Sequence, residues 1–277
     1  MILDINNPEC KNEIMLWAKS KGILLAKTHQ MPTFSNAFVI RNKEELNSII
    51  DQLPEKFYMR ADYRLGNNPV KVKGQNGTKQ IIDSYLESAK NADEAAAILV
   101  YYGDKFCESY NTDGAFYVDF NVKNAVYIDY VGRGFDGRGI SDGTAFHESF
   151  SIPWEEVQFF QESKMEKYRT KLIKPEEYLA QRELRIDSLL SEDLGNDLQG
   201  DLKKQFLETK IPKEYKPVSQ GRMQEIRDKV IFPLMNAKDL QYQYKEYIAM
   251  CNIEHGEIKV AEIYRSERHL NKEYNIR

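Results

Sequence analysis

The sequence predicts an α+β fold of two lobes with an additional helical segment. Short runs of alternating apolar and polar residues, bounded by turn-forming residues, indicate antiparallel strands. Between them, stretches with apolar residues three and four positions apart indicate helices. The region from residue 57 to 143 also holds two glycine-bearing loops beside arginines and lysines. With 277 residues, 42% of them apolar, the chain is long enough to build a sizeable core.

Composition narrows the class of protein. The formal net charge of −4 gives no general basic surface for nucleic acid. The 3 cysteines lie far apart, and the 4 histidines are scattered, which argues against a disulfide framework and a zinc site. We find no signal-peptide pattern and no apolar run of the roughly 18 residues that a membrane helix needs. We therefore expect a cytoplasmic protein.

The first lobe begins with helical patterns. A short amphipathic stripe predicts a helix over residues 10–21 that ends at Gly22 as a left-handed C-cap, with residues 23–25 entering a strand or loop. Asn42 and Glu45 form a capping-box pattern, so we predict a helix from Asn42 to about residue 53.

Strands and a glycine turn follow. Phe57–Arg60 and Val70–Lys73 are predicted strands, and the glycine turn Gly74–Gly77 leads to a helix that Thr78 can cap. The apolar run Ala95–Tyr102 is most simply a buried strand.

A hairpin and a glycine cluster follow in the second lobe. Phe116–Val122 and Val126–Val131 alternate with period two and predict a hairpin, with Asp119 and Asp129 opposite its apolar face. These aspartates face either a cleft or water. The segment Gly132–Gly143 is either a flexible loop over phosphates or an acceptor, or a long surface connection that uses glycine for positive φ.

The last part of the chain returns to helices and then strands. From Trp154 to about Lys210 the sequence is charged and helical, most simply a solvated helical face, with binding of a partner or nucleic acid as the alternative. Ser219 can start a further helix. Two strands, Tyr244–Ile253 and Glu257–Tyr264, come last.

The first glycine loop points to phosphate binding. Arg60, Lys71 and Lys73 supply positive charge beside Gly74 and Gly77, where a loop opening onto a helix N-terminus would present backbone N–H groups to an anion. The alternative is an ordinary exposed strand, in which lysines are common. No Gly-x-x-x-x-Gly-Lys-Ser/Thr motif occurs, so this is not a P-loop of the Walker type.

The second glycine cluster carries candidate catalytic arginines. Arg133 and Arg138 can stabilise the negative charge that develops during transfer of a phosphoryl or acyl group. His147 and Glu148, which follow, form a possible acid–base pair, although a lone histidine is more often structural.

Together these features resemble the ATP-grasp superfamily of ATP-dependent ligases and phosphotransferases. The resemblance runs from about Gly22 to Arg265. It rests on the order of the strand bearing Arg60, the glycine loop 74–77, a hinge-like strand at 98–103, the segment 132–143 and the terminal strand with Glu262. It implies ATP bound between two α+β lobes, and the hinge residues that would contact the nucleotide are Tyr101, Tyr102 and Asp104.

The resemblance also implies Mg²⁺ held by carboxylates against the phosphates. Glu262 matches the family's metal-binding glutamate, whereas Ala249 stands where a second carboxylate is usual, so Glu246 or Asp129 would have to replace it. The alternative is a surface Glu262 paired with Arg265 or Lys259. If Glu262 binds metal, Glu262→Gln should abolish turnover and leave the thermal midpoint of the free protein nearly unchanged.

Three departures from the family pattern bear on function. Arg60 replaces the usual lysine, Tyr264 replaces the usual asparagine of the terminal strand, and the short stretch before Gly22 has no room for the substrate domain common in the ligases. The third departure leaves the class of acceptor substrate open.

We expect residues 1–103 to form the first lobe, residues 104–153 and 217–277 the second, and residues 154–216 a helical insertion. The expected activity is that of a Mg·ATP-dependent carboxylate–amine ligase, through an acyl phosphate, or of a phosphotransferase. The alternative is a non-catalytic module that binds nucleotide or nucleic acid on the same scaffold. The expected partner is a small-molecule acceptor, without a membrane. Nucleic-acid binding through 154–210 is a further, less favoured possibility.

Overall fold

The computed structural model describes residues 3–4, 18–40, 42–63, 75–77, 96–105, 107, 111–120, 125–158, 165–191, 200–237 and 247–265. The chain forms two compact units: unit 1 comprises Met1–Glu108 with Val260–Tyr264, and unit 2 comprises Ser109–Lys259 with Arg265–Arg277. Among the described residues the strands form two sheets, each accompanied by helices, so the fold is α+β as predicted. No helix in this part of the chain is long and apolar enough to cross a membrane.

Unit 1 is built around a sheet with the strand order β1-β2-β5-β3-β4. The strands are β1 (Leu3–Asp4), β2 (Asn36–Ile40), β3 (Phe57–Tyr63), β4 (Gln75–Gly77) and β5 (Ala96–Tyr102). The predicted buried strand at 95–102 is confirmed as β5, which pairs antiparallel with both β2 and β3. One cluster of buried apolar side chains includes Phe38, Leu46, Phe57, Met59 and Val100.

Helix α1 (Ala18–Thr28) differs from the prediction. The sequence predicted a helix that ends at Lys21 with Gly22 as its cap, but Gly22 and residues 23–25 lie inside the helix. A Cβ atom at Gly22 would lie 2.4 Å from the backbone nitrogen of Ile263. The glycine is therefore explained by the close approach of another backbone, which a local sequence pattern does not reveal.

Helix α2 (Lys43–Ile49) confirms the predicted cap. The side chain of Asn42 accepts a hydrogen bond from the backbone N–H of Glu45, at 2.9 Å. This bond satisfies one of the backbone donors that a helix N-terminus leaves without an intrahelical partner. A short 3₁₀ turn, Ile50–Gln52, continues the helix.

The glycine turn predicted at Gly74–Gly77 is in part a strand. Residues 75–77 form β4, in which Gly77 pairs with Phe57 of β3. The prediction of a turn there is therefore wrong for these three residues, because a strand neighbour from elsewhere in the chain determines their conformation. The predicted strand at 70–73 and the helix from Thr78 lie outside the described residues.

Unit 2 contains most of a second sheet, with the strand order β11-β10-β6-β7-β8-β9. The strands are β6 (Gly114–Asp119), β7 (Ala125–Val131), β8 (Glu148–Pro153), β9 (Arg169–Leu172), β10 (Tyr247–Glu254) and β11 (Glu257–Arg265). The predicted hairpin is confirmed, because β6 and β7 pair antiparallel. Residues 260–264 of β11 belong to unit 1.

The helices of unit 2 include α3 (Gly137–Ser141), α4 (Trp154–Val157), α5 (Met165–Tyr168), α6 (Pro175–Ser191), α7 (Gly200–Lys210), α8 (Gln220–Ile226) and α9 (Phe232–Asn236). The predicted N-cap at Ser219 is confirmed, since its side chain accepts from the N–H of Arg222. A π-helical stretch, Arg227–Ile231, joins α8 and α9.

The charged stretch 154–210 is not helical throughout. It contains β9, a strand of the sequence Arg-Thr-Lys-Leu that pairs with β8. Charged residues are common in strands at the edge of a sheet. Because they leave no apolar periodicity, the sequence alone does not distinguish such a strand from a helix. The structure thus corrects the prediction at these four residues.

Candidate functional site

A row of side chains crosses the sheet of unit 2. In the strand register, Tyr117 of β6 is opposite Asp129 of β7, Asp129 is opposite Ser149 of β8, and Ser149 is opposite Lys171 of β9. Directly opposite residues have Cβ atoms about 4.5–5.5 Å apart, so neighbouring side chains in such a row can interact. We call Asp129, Ser149 and Lys171 the polar row.

Asp129 is the carboxyl group of the polar row, and its pKa is shifted by its surroundings. Its side chain is almost fully buried, and Ser149 Oγ donates a 2.6 Å hydrogen bond to its Oδ1. Burial raises the pKa of Asp129 to about 6; the Ser149 hydrogen bond opposes this shift, the Asp119 charge adds to it and the Lys171 charge opposes it. A carboxyl group with this pKa can accept a proton near neutral pH, which is what a general base must do.

The predicted flexible loop 132–143 is packed against the same sheet. A Cβ at Gly137 would lie 3.1 Å from Met250 Sδ and 3.2 Å from a ring carbon of Tyr117. Asp136 caps α3 by accepting from the N–H of Arg138 at 3.2 Å, and its other carboxylate oxygen contacts Arg185 at 3.4 Å. Gly134 and Gly143 have φ of 84° and 69°, as expected for a connection that uses glycine for positive φ, while the proposed role of the loop over phosphates or an acceptor stays a prediction.

The two arginines of this segment are exposed. Arg133 lies in a turn and Arg138 in α3. Gly134, beside Arg133, has φ of 84°, and a Cβ there would lie 2.8 Å from a side-chain carbon of Ile211. Glycine is therefore required for this turn, while the catalytic role predicted for the two arginines stays a prediction.

His147 is part of a buried aromatic cluster. Its Nδ1 accepts a 2.8 Å hydrogen bond from the N–H of Gly132, and its ring lies 4.5 Å from the rings of Phe135 and Tyr215 and 5.2 Å from that of Tyr178. Burial lowers the pKa of His147 to about 3; the neighbouring Gln181 side chain opposes this shift and the Lys171 charge adds to it. The imidazole is neutral at physiological pH and is enclosed by aromatic rings, which favours the structural alternative.

Glu148 also has a structural role. Its buried carboxylate accepts from Arg169 Nε at 2.9 Å, from the Val218 N–H at 2.5 Å and from the Tyr215 hydroxyl. Burial of the Tyr215 hydroxyl raises its pKa well above the ordinary value, and the Glu148 charge and hydrogen bond add to the shift. Tyr215 contacts both side chains, His147 through its ring and Glu148 through its hydroxyl, and the acid–base role of the His147–Glu148 pair stays a prediction.

In unit 1, the structure brings together two of the predicted site residues. Arg60 of β3 forms an ion pair with Glu262 of β11 through Nη1 and Oε1, with side chains 22% and 10% exposed. The alternative partner considered for Glu262, Lys259, instead lies 2.8 Å from Glu257. Glu262 is thus not a solvated surface carboxylate.

The predicted hinge residues have identified contacts within unit 1. Tyr101 is buried and stacks on Tyr58 at 5.2 Å between ring centres, and the Tyr102 hydroxyl donates to the carbonyl of Gln52 at 3.2 Å. Asp104 is exposed and accepts from Ser35 Oγ at 3.4 Å. Since the Tyr101 ring is enclosed by its own unit, any contact of Tyr101 with an adenine would have to come from its backbone.

Several predicted ligands lie outside the described residues, namely Lys71, Lys73, Gly74 and Glu246. Within the part of the chain that is described, no group of three or more His, Cys, Asp or Glu side chains is arranged to hold a metal ion.

Ser149 and Lys171 were not among the predicted site residues. Ser149 lies in a strand that the sequence pattern did not single out, and Lys171 lies in the stretch predicted to be helical. The alternation of Ser149 and Ser151 with apolar Phe150 and Ile152 is the signal that identifies β8 as a strand with one polar face.

Comparison with known proteins gives one kind of similarity. No model of a known family and no curated protein matches the chain. Among solved structures, D-alanine-D-alanine ligase from Helicobacter pylori is similar with a TM-score of 0.41 and 9% sequence identity, over 91% of this chain and 54% of that enzyme's chain. The chain thus spans about half the length of the enzyme it matches.

Proposed function

We propose that this protein uses Mg·ATP, either as a ligase that joins a carboxylate to an amine through an acyl phosphate or as a phosphotransferase. The observation that carries the proposal is the contact between Arg60 and Glu262 in unit 1. The sequence resemblance to ATP-grasp enzymes assigns the first residue to phosphate and the second to metal. Arg60 and Glu262 are 202 positions apart in the sequence, and the fold places the cation beside the carboxylate.

The chemistry of this pair suits a metal-bound phosphate. An arginine guanidinium keeps its charge and presents a fork of N–H donors that matches phosphate oxygens. Magnesium usually takes one or two carboxylates and completes its shell with phosphates and water, so Glu262 fits as the protein ligand. In this proposal, Arg60 transfers its contact from Glu262 to a phosphate when the nucleotide binds.

Phosphoryl transfer needs little covalent chemistry from the protein, so positioning and charge dominate catalysis. Bound Mg²⁺ would supply neutralisation of phosphate charge. Arg60 would orient the phosphates, and Arg133 and Arg138 are proposed to stabilise charge during transfer. The second carboxylate ligand stays a prediction, with Glu246 and Asp129 as its candidates.

Glu262→Gln tests the proposal, with Glu257→Gln as its matched control. Glu257 lies on the same strand and pairs with Lys259, but its side chain is 70% exposed. We expect Mg·ATP to raise the thermal midpoint of the wild type and of Glu257→Gln, and Glu262→Gln to lose this shift together with any formation of ADP or AMP from ATP. ADP would indicate an acyl phosphate or direct transfer.

The contact also changes the expected stability of the Glu262→Gln variant. The sequence suggested an unchanged thermal midpoint, but a neutral side chain would leave Arg60 without its charged partner in a largely buried place. We expect a loss of about 1–3 kcal/mol in the free energy of unfolding, measured with urea. Wild-type ATP turnover in folded Glu262→Gln would rule out the assignment.

A non-catalytic nucleotide-binding module is the second candidate. It is favoured by the ion pair itself, because Arg60 and Glu262 neutralise each other without a ligand. This candidate predicts a thermal shift with Mg·ATP but no ADP or AMP across a panel of carboxylate, amine and hydroxyl acceptors.

A further inference from the structure

The outward side of α6 in unit 2 exposes apolar side chains. Among the described residues, the large apolar side chains that are exposed are Leu172, Leu179 and Leu184, and the last two lie on α6 with 46% and 67% of their surface exposed. The opposite side of the helix is buried, with Tyr178 and Leu189 among its residues. Scattered single leucines on a surface are ordinary, but exposed leucines collected in one segment are typical of a surface that contacts a partner.

The charges on the outward side of α6 are all negative. The exposed charged residues of the helix are Glu176, Glu177, Glu183 and Asp187. The arginines are directed at the protein: Arg182 Nε donates to the Ile211 carbonyl at 3.3 Å. Arg185 lies 3.4 Å from the Asp136 carboxylate. A sequence of mixed charge thus folds into a helix whose exposed residues carry only negative charge. We call Leu179, Leu184 and the four acidic residues the outer face of α6.

Part of this charge works against the helix. Glu176 and Glu177 lie in the first turn, where negative charge is favourable. Glu183 and Asp187, however, are four positions apart and therefore neighbours on the helix surface, and like charges at this spacing destabilise a helix. The last turn also has no basic residue to offset the negative end of the helix dipole. The stability of α6 itself therefore does not explain Glu183 and Asp187, whereas a bound cationic group would relieve their repulsion.

We propose that the outer face of α6 docks a basic amphipathic segment of another protein. Lysines or arginines of that segment pair with the four carboxylates, and its apolar side chains contact Leu179 and Leu184. Charge decides the class of partner, because the phosphates of a nucleic acid are repelled and a second copy that presents the same face brings like charges together. The inference goes beyond the proposed function, since it needs neither ATP nor any residue of unit 1.

Peptide binding to the protein tests the proposal. The probe is a fluorescently labelled synthetic peptide in which leucine and lysine recur at helical spacing, and its control has the same composition in scrambled order. By fluorescence anisotropy, we expect the first peptide to bind more tightly than the scrambled one. Its affinity should fall as salt rises, because ions screen exposed charge pairs. No binding, or equal binding of the two peptides, would overturn the proposal.

Matched variants locate the contact. Glu183→Lys combined with Asp187→Lys reverses two charges of the outer face. Glu155→Lys combined with Glu214→Lys makes the same change of net charge at exposed positions elsewhere in unit 2. The first pair should weaken peptide binding about tenfold or more and the second much less, since only the first turns attractive charge pairs into repulsive ones. Leu184→Gln leaves the net charge unchanged and should also weaken binding. Equal loss in both charge-reversed proteins would assign the attraction to net charge and overturn the docking site.

Two other measurements on the same proteins would reveal a different occupant of the outer face. Self-association in sedimentation that is lost in Leu184→Gln would assign the face to a second copy. Binding of a single-stranded RNA oligonucleotide that is lost in the same variant would assign it to nucleic acid, and either result would overturn the proposal. All variants should fold as the wild type does by circular dichroism. Peptide binding through α6 in a protein that shows no thermal shift with Mg·ATP would support this inference and count only against the proposed function.

Discussion

His147 is kept neutral by its surroundings, and this should appear as acid sensitivity. Its pKa is about 3 in the folded protein against an ordinary value of 6.5, so the unfolded chain binds a proton that the folded one excludes. The resulting stability is present above pH 6.5 and is lost as pH falls toward 3. From pH 7.5 to pH 5, we expect this residue alone to reduce the free energy of unfolding by about 2 kcal/mol.

His147→Phe isolates that contribution, since phenylalanine keeps a ring among Phe135, Tyr178 and Tyr215. At pH 7.5 the variant should be less stable by about 1–3 kcal/mol, because the Gly132 N–H loses its acceptor. Urea unfolding at both pH values should show a smaller loss of stability toward pH 5 in the variant than in the wild type. An identical loss in both proteins would contradict the assignment of a neutral, buried imidazole.

Single residues were predictable where their chemistry is local. The Asn42 cap is an example, because its hydrogen bond is to a residue three positions away. The partnership of Arg60 with Glu262 was not predictable as a contact, since only the fold brings these strands together. The same holds for Ser149, whose importance depends on what stands opposite it on β7 and β9.

At the scale of the helix, we expect replacement of Gly22 by alanine to change the stability in the direction opposite to the usual one. Glycine inside a helix is normally less favourable than alanine by roughly 1 kcal/mol, so a change to alanine usually stabilises. Here the new Cβ would lie 2.4 Å from the Ile263 backbone nitrogen, and backbone cannot move aside as a flexible side chain can. We expect Gly22→Ala to destabilise the protein, as measured by a lower urea midpoint.

Gly221→Ala is the control for that experiment. Gly221 lies in α8, and nothing lies within 4 Å of the position a Cβ would take. This variant should be stabilised by up to about 1 kcal/mol through helix propensity alone. If both variants shift the midpoint in the same direction, the close approach of α1 to residue 263 is not the reason for glycine at position 22.

Strands with a strong apolar or alternating sequence pattern were predictable. Strands whose conformation depends on pairing with a neighbouring strand were not. β5 and the β6–β7 hairpin follow from their apolar and alternating patterns. β4 and β9 are short and polar, so their sequences carry no period, and only pairing with β3 and β8 makes them strands. For the same reason the sequence did not identify Lys171 as a residue of the polar row, since it lies on β9.

At the scale of the whole molecule, unit 1 depends on a segment from near the end of the chain. Val260 donates its N–H to the Pro32 carbonyl at 2.7 Å and accepts from Thr33 Oγ1 at 2.6 Å. We expect a chain that ends at Lys259 to lose hydrogen-exchange protection in α1 and β3 while β6–β8 keep theirs. A chain that ends at Arg265 is the control and should keep both patterns; equal loss in both units would contradict this division.

Strand β11 contributes residues to both units, which has a consequence for folding during synthesis of the chain. Residues 1–108 leave the ribosome first, yet Glu262, the partner of Arg60, follows after about 150 further residues have been made, which takes roughly 10–30 s at 5–20 residues per second. During that interval Arg60 lacks the Glu262 carboxylate, and α1 lacks the strand segment that Gly22 approaches. Unit 1 can therefore complete its native contacts only after residues 260–264 have been synthesised.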